Sequence, residues 1–406
     1  MDGDARHVPA AETPARTGPL AGIRVVEIGS LGPGPFCCMM LADLGADVLR
    51  IDRVTPGAHD APVGPGAEHG AELLNRGRRS VGLDLKHPGA VAVVLDLVAR
   101  ADAFVEGFRP GVVERLGIGP EPCLERNPRL IYGRMTGYGQ DGPSAQVVGH
   151  DLNYLAANGV LSLIGRHGQP PTPPLNLVAD IGGGGLILAF GILAALLSRE
   201  RTGEGQVIDA AMVDGAAVLA APFFAWATSG QWSPQRGTNM IDSGAPYYDA
   251  YETADGRWLS VAAVEPRFYR TLLDILGLAG ERLPDQEDRA AWPALKERFA
   301  AVIRTRTRDA WCALAEGREA CIAAVLDVDE VESDPHLAAR RTFLRHHGLL
   351  QPAPAPRFSR TPARLSLPPP VPGADSLTAL RDWGFHDGRL ADLVRAGAVV
   401  VARPEE

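Results

Sequence analysis

His150 and Asp180, thirty residues apart, are the two side chains in this chain whose types and settings point most directly to chemistry. The histidine stands in Gly149-His150-Asp151 and the aspartate in Ala179-Asp180, which runs on into Gly182-Gly183-Gly184-Gly185. An imidazole and a carboxylate on glycine-flanked turns are the two proton carriers that reversible proton transfer at carbon requires. The glycine run suits such a site, because backbone without a Cβ can approach a substrate closely. It is expected to open a helix whose first N–H groups could stabilise an enolate oxygen. The apolar neighbours Leu177, Val178 and Ile181 are expected to raise the pKa of Asp180 by taking it out of water.

The elements that must hold these groups read as an alternation of strands and helices. Strand signals fall at 23–28, 47–52, 80–85, 103–106 and 130–135, with helices at 36–44 and 88–100. That rhythm predicts a doubly wound parallel-sheet α/β domain. It spans residues 17–225, after a disordered tail at 1–16. A connector at 226–246 leads to a smaller α+β domain at 247–330, and residues 331–406 return to pack on the large one. The segment 351–372 holds eight prolines and is expected to run as an extended strap.

Composition narrows the function. The chain has 406 residues, 46% of them hydrophobic, and a net charge of −9, which leaves no basic stripe for a nucleic acid. Five cysteines with no Cys-x-x-Cys pair suggest neither a disulfide framework nor a zinc site, and a reducing cytoplasm fits best. The apolar run Leu186 to Leu197 is too short to cross a bilayer and reads as a buried helix, so no membrane contact is expected. The turn Gly29-Ser30-Leu31-Gly32-Pro33-Gly34-Pro35 departs from the Gly-x-Gly-x-x-Gly spacing of dinucleotide sites. It could still line a pocket or meet an acyl carbonyl with free backbone N–H groups.

Several stretches together resemble the family III CoA transferases. They are 20–27, 41–53, Asn127 to Tyr132 with Thr136 to Gln140, and 203–209. The motifs at 149–154, 174–180, 244–248 and 264–269 are similar to the α-methylacyl-CoA racemase branch of that group. The resemblance implies an interlocked homodimer and an acyl-CoA substrate, with no cofactor beyond the CoA that the substrate carries and no metal. It implies that His150 and Asp180 are the acid/base pair and that Glu265 is the carboxylate partnering the histidine. Arg53, Lys86 and Arg115 fall where CoA contacts are expected, within a wider set that includes Arg76, Arg78, Arg79 and Arg109. Tyr154 and Asn176 flank the acid/base pair and could orient the thioester. Met39, Met40, Met135 and Met240 could offer a pliable acyl surface.

A base on one face of the α-carbon and an acid on the other invert it, whereas a single base returns the proton to the face it came from. The leading expectation is therefore epimerisation of a 2-methylacyl-CoA through an enolate. The alternative is CoA transfer, with Asp180 attacking a donor thioester to form an anhydride. A catalytically silent acyl-CoA binder is a third reading, against which the His150, Asp180 and Glu265 set counts. Cys321 to Leu326 departs from the branch pattern Cys-Val-Thr-Pro-Val-Leu by losing a hydroxyl and a proline. The long loop at 54–74, with His59 and His69, could close over CoA.

Overall fold

A computed structural model of the chain describes residues 16–54 and 72–402. Most of the expected tail and of the 54–74 loop, including His59 and His69, lies outside the described residues. The chain divides into two compact units, one of residues 1–147, 184–212 and 344–406, the other of 148–183 and 213–343. These boundaries differ from those expected: the His150 and Asp180 segments group with the later part of the chain, not with the parallel-sheet domain.

The first unit is built on a sheet of seven strands. In chain order the first six are β1 (Arg24–Ile28), β2 (Asp47–Asp52), β3 (Arg78–Leu83), β4 (Ala103–Glu106), β5 (Ile131–Thr136) and β6 (Gln206–Ala211). They lie side by side as β3-β2-β1-β4-β5-β6, all parallel. A seventh strand, Val399–Val400, pairs antiparallel with β3. The helices Pro33–Asp43 and Pro88–Val98 each begin at a proline whose missing N–H costs nothing in a first turn. Strands β3 to β5 are buried along their whole length, as expected of a parallel sheet covered on both faces. Strand order reverses between β1 and β4, and ligands of open α/β sheets bind beyond the strand ends at such a point. The Gly29 to Pro35 turn and Gly107 lie there, and the Ser30 hydroxyl is buried with no hydrogen-bond partner among the described residues.

Arg16, the last residue of the expected tail, is held in place. It donates to the carbonyls of Ala46 and Gly77 and pairs with Asp47 at 3.1 Å.

The second unit carries a three-stranded antiparallel sheet of β7 (Tyr248–Glu252), β8 (Trp258–Ala262) and β9 (Ile322–Ala324). Its core joins Leu259 of β8 and Tyr247 to Leu272, Trp292, Phe299 and Trp311 of helices Pro266–Ile275, Trp292–Ile303 and Arg308–Ala315. The expected connector at 226–246 is helical only at its start, where Ala221–Thr228 runs into it; at Met240–Gly244 it makes a turn in which Ser243 has φ 75°.

The glycine run gives the largest departure in local structure. Gly182 to Gly185 do not open a helix; they lie inside a π-helical stretch, Leu177–Leu186, that continues into the helix Ile187–Thr202. Their small size answers a packing demand. A Cβ on Gly183 would sit 2.5 Å from the Ala216 nitrogen, and one on Gly185 would sit 2.6 Å from the Pro33 carbonyl oxygen. Because the π-helix extends the apolar run backwards, the combined helix Leu177–Thr202 has 26 residues and is long and apolar enough to cross a membrane; 44% of its most apolar window is buried inside the fold. The exposed remainder includes Leu186, Phe190, Leu193 and Leu197, spaced four, three and four residues apart on one helical face.

Candidate active site

His150 and Asp180 are held by two elements of the second unit. His150 is the exposed N-cap residue of the helix Asp151–Ala157, and its backbone N–H donates to the Asn153 side-chain oxygen at 3.0 Å. Tyr154, one turn on, is buried, and its hydroxyl donates to the Gly149 carbonyl, which closes the loop that carries the histidine. Asp180 is the fourth residue of the π-helical stretch and is partly buried.

Asp151 joins the two elements. Its Oδ2 accepts the backbone N–H groups of Ala179 and of Asp180, each at 2.8 Å. These are first-turn N–H groups that have no acceptor within their own helix, and a buried carboxylate satisfies both. They are therefore not free to hold an enolate, and the glycines behind them are helix interior. The oxyanion role expected of this run is not supported by the geometry.

The Asp180 carboxyl titrates at about 6, well above the ordinary carboxylate range. Burial is the main cause and the neighbouring charge of Asp151 adds to it; a hydrogen bond from Asn176 and the nearby His150 ring act in the opposite sense. The expected rise is present, and Asp151 contributes a cause that local hydrophobicity does not supply. At that pKa roughly one Asp180 in ten carries a proton at pH 7, far more than for an ordinary aspartic acid. Asn176 follows Leu175, which holds a left-handed backbone at φ 58°.

The structure thus brings together His150, Asp180, Asn176 and Tyr154. It does not bring Glu265 to them within the chain. Glu265 is the exposed N-cap residue of Pro266–Ile275, and no hydrogen bond or ion pair joins it to His150 among the described residues. Its charge is felt by Cys321, whose thiol is raised first by burial and then by Glu265.

In the same unit lies an apolar cavity of about 710 Å³, bordered by Val160, Val178, Leu219, Phe223, Trp232 and Tyr248 among others. Val178 is two residues from Asp180 in sequence, so the cavity wall and the acid share one helical turn. The methionines contribute less than expected: Met39 and Met135 are core residues, and Met240 packs on the core of the second unit.

The cations of the first unit separate into two groups. Arg53, Lys86 and Arg115 are exposed, follow the carboxyl ends of β2, β3 and β4, and form no ion pair among the described residues. Arg76, Arg78 and Arg79 are buried and committed: Arg76 to Asp43 at 2.6 Å, Arg78 to Glu27 at 2.8 Å, and Arg79 to Asp382 at 2.6 Å. These three are scaffold and not part of a phosphate-binding set, a distinction that sequence position alone does not make.

The model of the CoA-transferase family III matches residues 20–376. The chain belongs to that family. Among family III relatives it is 46% identical over 378 residues to the alpha-methylacyl-CoA racemase of Mus musculus, covering 92% of this chain and 96% of that one. Identity to the alpha-methylacyl-CoA racemase of Homo sapiens is also 46%, over 370 residues, 90% of this chain and 94% of that one. The family III fold is matched by a CAIB/BAIF family protein from Brucella suis, with a TM-score of 0.78 and 28% identity over 91% of this chain and 100% of that one.

Proposed function

We propose that this protein is a racemase that inverts the α-carbon of 2-methylacyl-CoA thioesters by 1,1-proton transfer. The observation that carries this reading is Asp180, a carboxyl with its pKa near 6, within reach of the charge of His150. One group removes the α-proton and the other delivers a proton to the opposite face; this leaves their protonation states exchanged, and proton exchange with solvent restores the starting state. A carboxyl titrating at about 6 can serve as acid in one direction and as base in the other near neutrality. The high identity to two proteins named alpha-methylacyl-CoA racemase supports the same reading.

On this reading Arg53, Lys86 and Arg115 hold the phosphates of CoA, Tyr154 and Asn176 orient the thioester, and the apolar cavity takes the acyl chain. The reaction needs no redox cofactor, because substrate and product have the same oxidation state, and on this reading the two side chains move the proton without a metal. The exposed stripe of Leu186, Phe190, Leu193 and Leu197 is covered by a second copy in an interlocked homodimer, and Glu265 of one copy meets His150 of the other. The protein works in the cytoplasm and engages neither nucleic acid nor membrane. If Glu265 acts across the dimer, coexpressed His150→Ala and Glu265→Ala chains regain activity as a mixed dimer, since one of its two sites then has both groups; pairing within a chain would leave the mixture inactive.

CoA transfer through an anhydride on Asp180 is the competing reading within the family, and one experiment separates the two. A single epimer of a 2-methylacyl-CoA is incubated in deuterated buffer with and without an acceptor acid. Inversion with one deuterium at the α-carbon, independent of acceptor, supports the racemase; acceptor-dependent movement of CoA without inversion overturns it.

A further inference from the structure

We propose that Asp151 is a positioning residue for Asp180: one carboxylate oxygen fixes the Asp180 backbone, and the other is a buried, unpartnered negative charge beside the Asp180 carboxyl. The proposal rests on the proton-transfer reading of Asp180 and deepens it. Asp151 is only 6% exposed. Its Oδ2 accepts from Ala179 and Asp180 at 2.8 Å each, and its Oδ1 has no hydrogen-bond partner among the described residues. A buried carboxylate oxygen is costly to leave unpaired, and such a group persists where it serves a purpose beyond stability.

The arrangement has a physical consequence. The two N–H bonds hold the first turn of the π-helical stretch against the N-terminus of the helix that begins next to His150, so one side chain sets the spacing between the two proton carriers. The groups facing Asp180 are Asp151, Asn176 and His150. Of these only Asp151 repels a second negative charge, and it reinforces burial in keeping a proton on Asp180. Asp151 itself exchanges no proton with substrate.

The test is Asp151→Asn in the full-length protein, because an asparagine carbonyl oxygen can still accept both N–H groups while the charge is gone. Two readouts are taken. In the first, carboxyl carbons of aspartate are labelled and the Asp180 signal, assigned by its loss in Asp180→Asn, is titrated; the native midpoint near pH 6 moves to lower pH in Asp151→Asn. In the second, kcat/KM for the epimer that receives its proton from Asp180 falls at pH 7, because less of Asp180 then carries the proton it must deliver. Asp151→Ala, which loses the two bonds as well, falls further and melts at lower temperature. An unchanged Asp180 midpoint in Asp151→Asn overturns the proposal even if the variant is less stable. The titration does not depend on turnover, so a native protein that fails to invert any epimer overturns the racemase reading and leaves the role of Asp151 to be judged by the titration alone.

Discussion

Both units bury carboxylates, but they treat them in opposite ways. Under the strand ends of the first unit, Glu27 is fully buried between two guanidiniums, Arg78 at 2.8 Å and Arg50 at 2.9 Å, and Arg50 also holds Asp52 at 2.8 Å. Every charged group there is paired with an opposite one, so the cluster is a fixed support. In the second unit Asp151 and Asp180 are brought close together with no guanidinium paired to either among the described residues, and Asp180 takes up a proton near pH 6. Matched buried charges make structure; mismatched ones make a group that can give and take a proton.

That contrast can be broken from either side. The largest effect is expected at the mismatched pair: Asp180→Asn, which keeps the shape and removes the proton carrier, lowers the inversion rate by about 10²–10⁴-fold while thermal unfolding changes little. Activity assays beside melting curves check this. At the matched cluster the outcome reverses. Arg78→Met leaves Glu27 with one cation in a dry site and costs about 3 kcal/mol of stability, read from denaturant titration. The exposed cations should behave differently from both. Arg53→Ala leaves stability within about 0.5 kcal/mol, because surface substitutions rarely do more. It weakens CoA binding by about tenfold, as measured by calorimetry with CoA itself.

The parallel-sheet unit was the more legible part of the sequence. Strands Asp47–Asp52 and Ala103–Glu106 are legible to the residue, since short apolar runs between turns mark buried strands clearly. The final strand, Val399–Val400, is two residues long and has no pattern to detect. The glycine run misled because four adjacent glycines signal a turn, whereas close backbone crossings at Gly183 and Gly185 require them inside a helix. In the site, the types and settings of His150, Asp180, Tyr154 and Asn176 single them out in the sequence as candidates. Asp151 was visible as a neighbour of His150, but its bonds to residues 179 and 180 span 28 and 29 positions and exist only in the folded chain. Arg78 and Arg53 look alike in sequence; only the fold shows that one is buried on Glu27 and the other lies on open surface.

The central claim is that two different groups serve the two faces of one carbon, and His150→Ala tests it most directly. Each pure epimer of a 2-methylacyl-CoA is incubated with this variant in deuterated buffer, and α-deuterium incorporation and configuration are followed separately. Two-sided transfer predicts that the epimer whose α-hydrogen faces Asp180 takes up deuterium with its configuration retained, that the other does not exchange, and that neither inverts. Equal exchange of both epimers, or continued inversion, would contradict it.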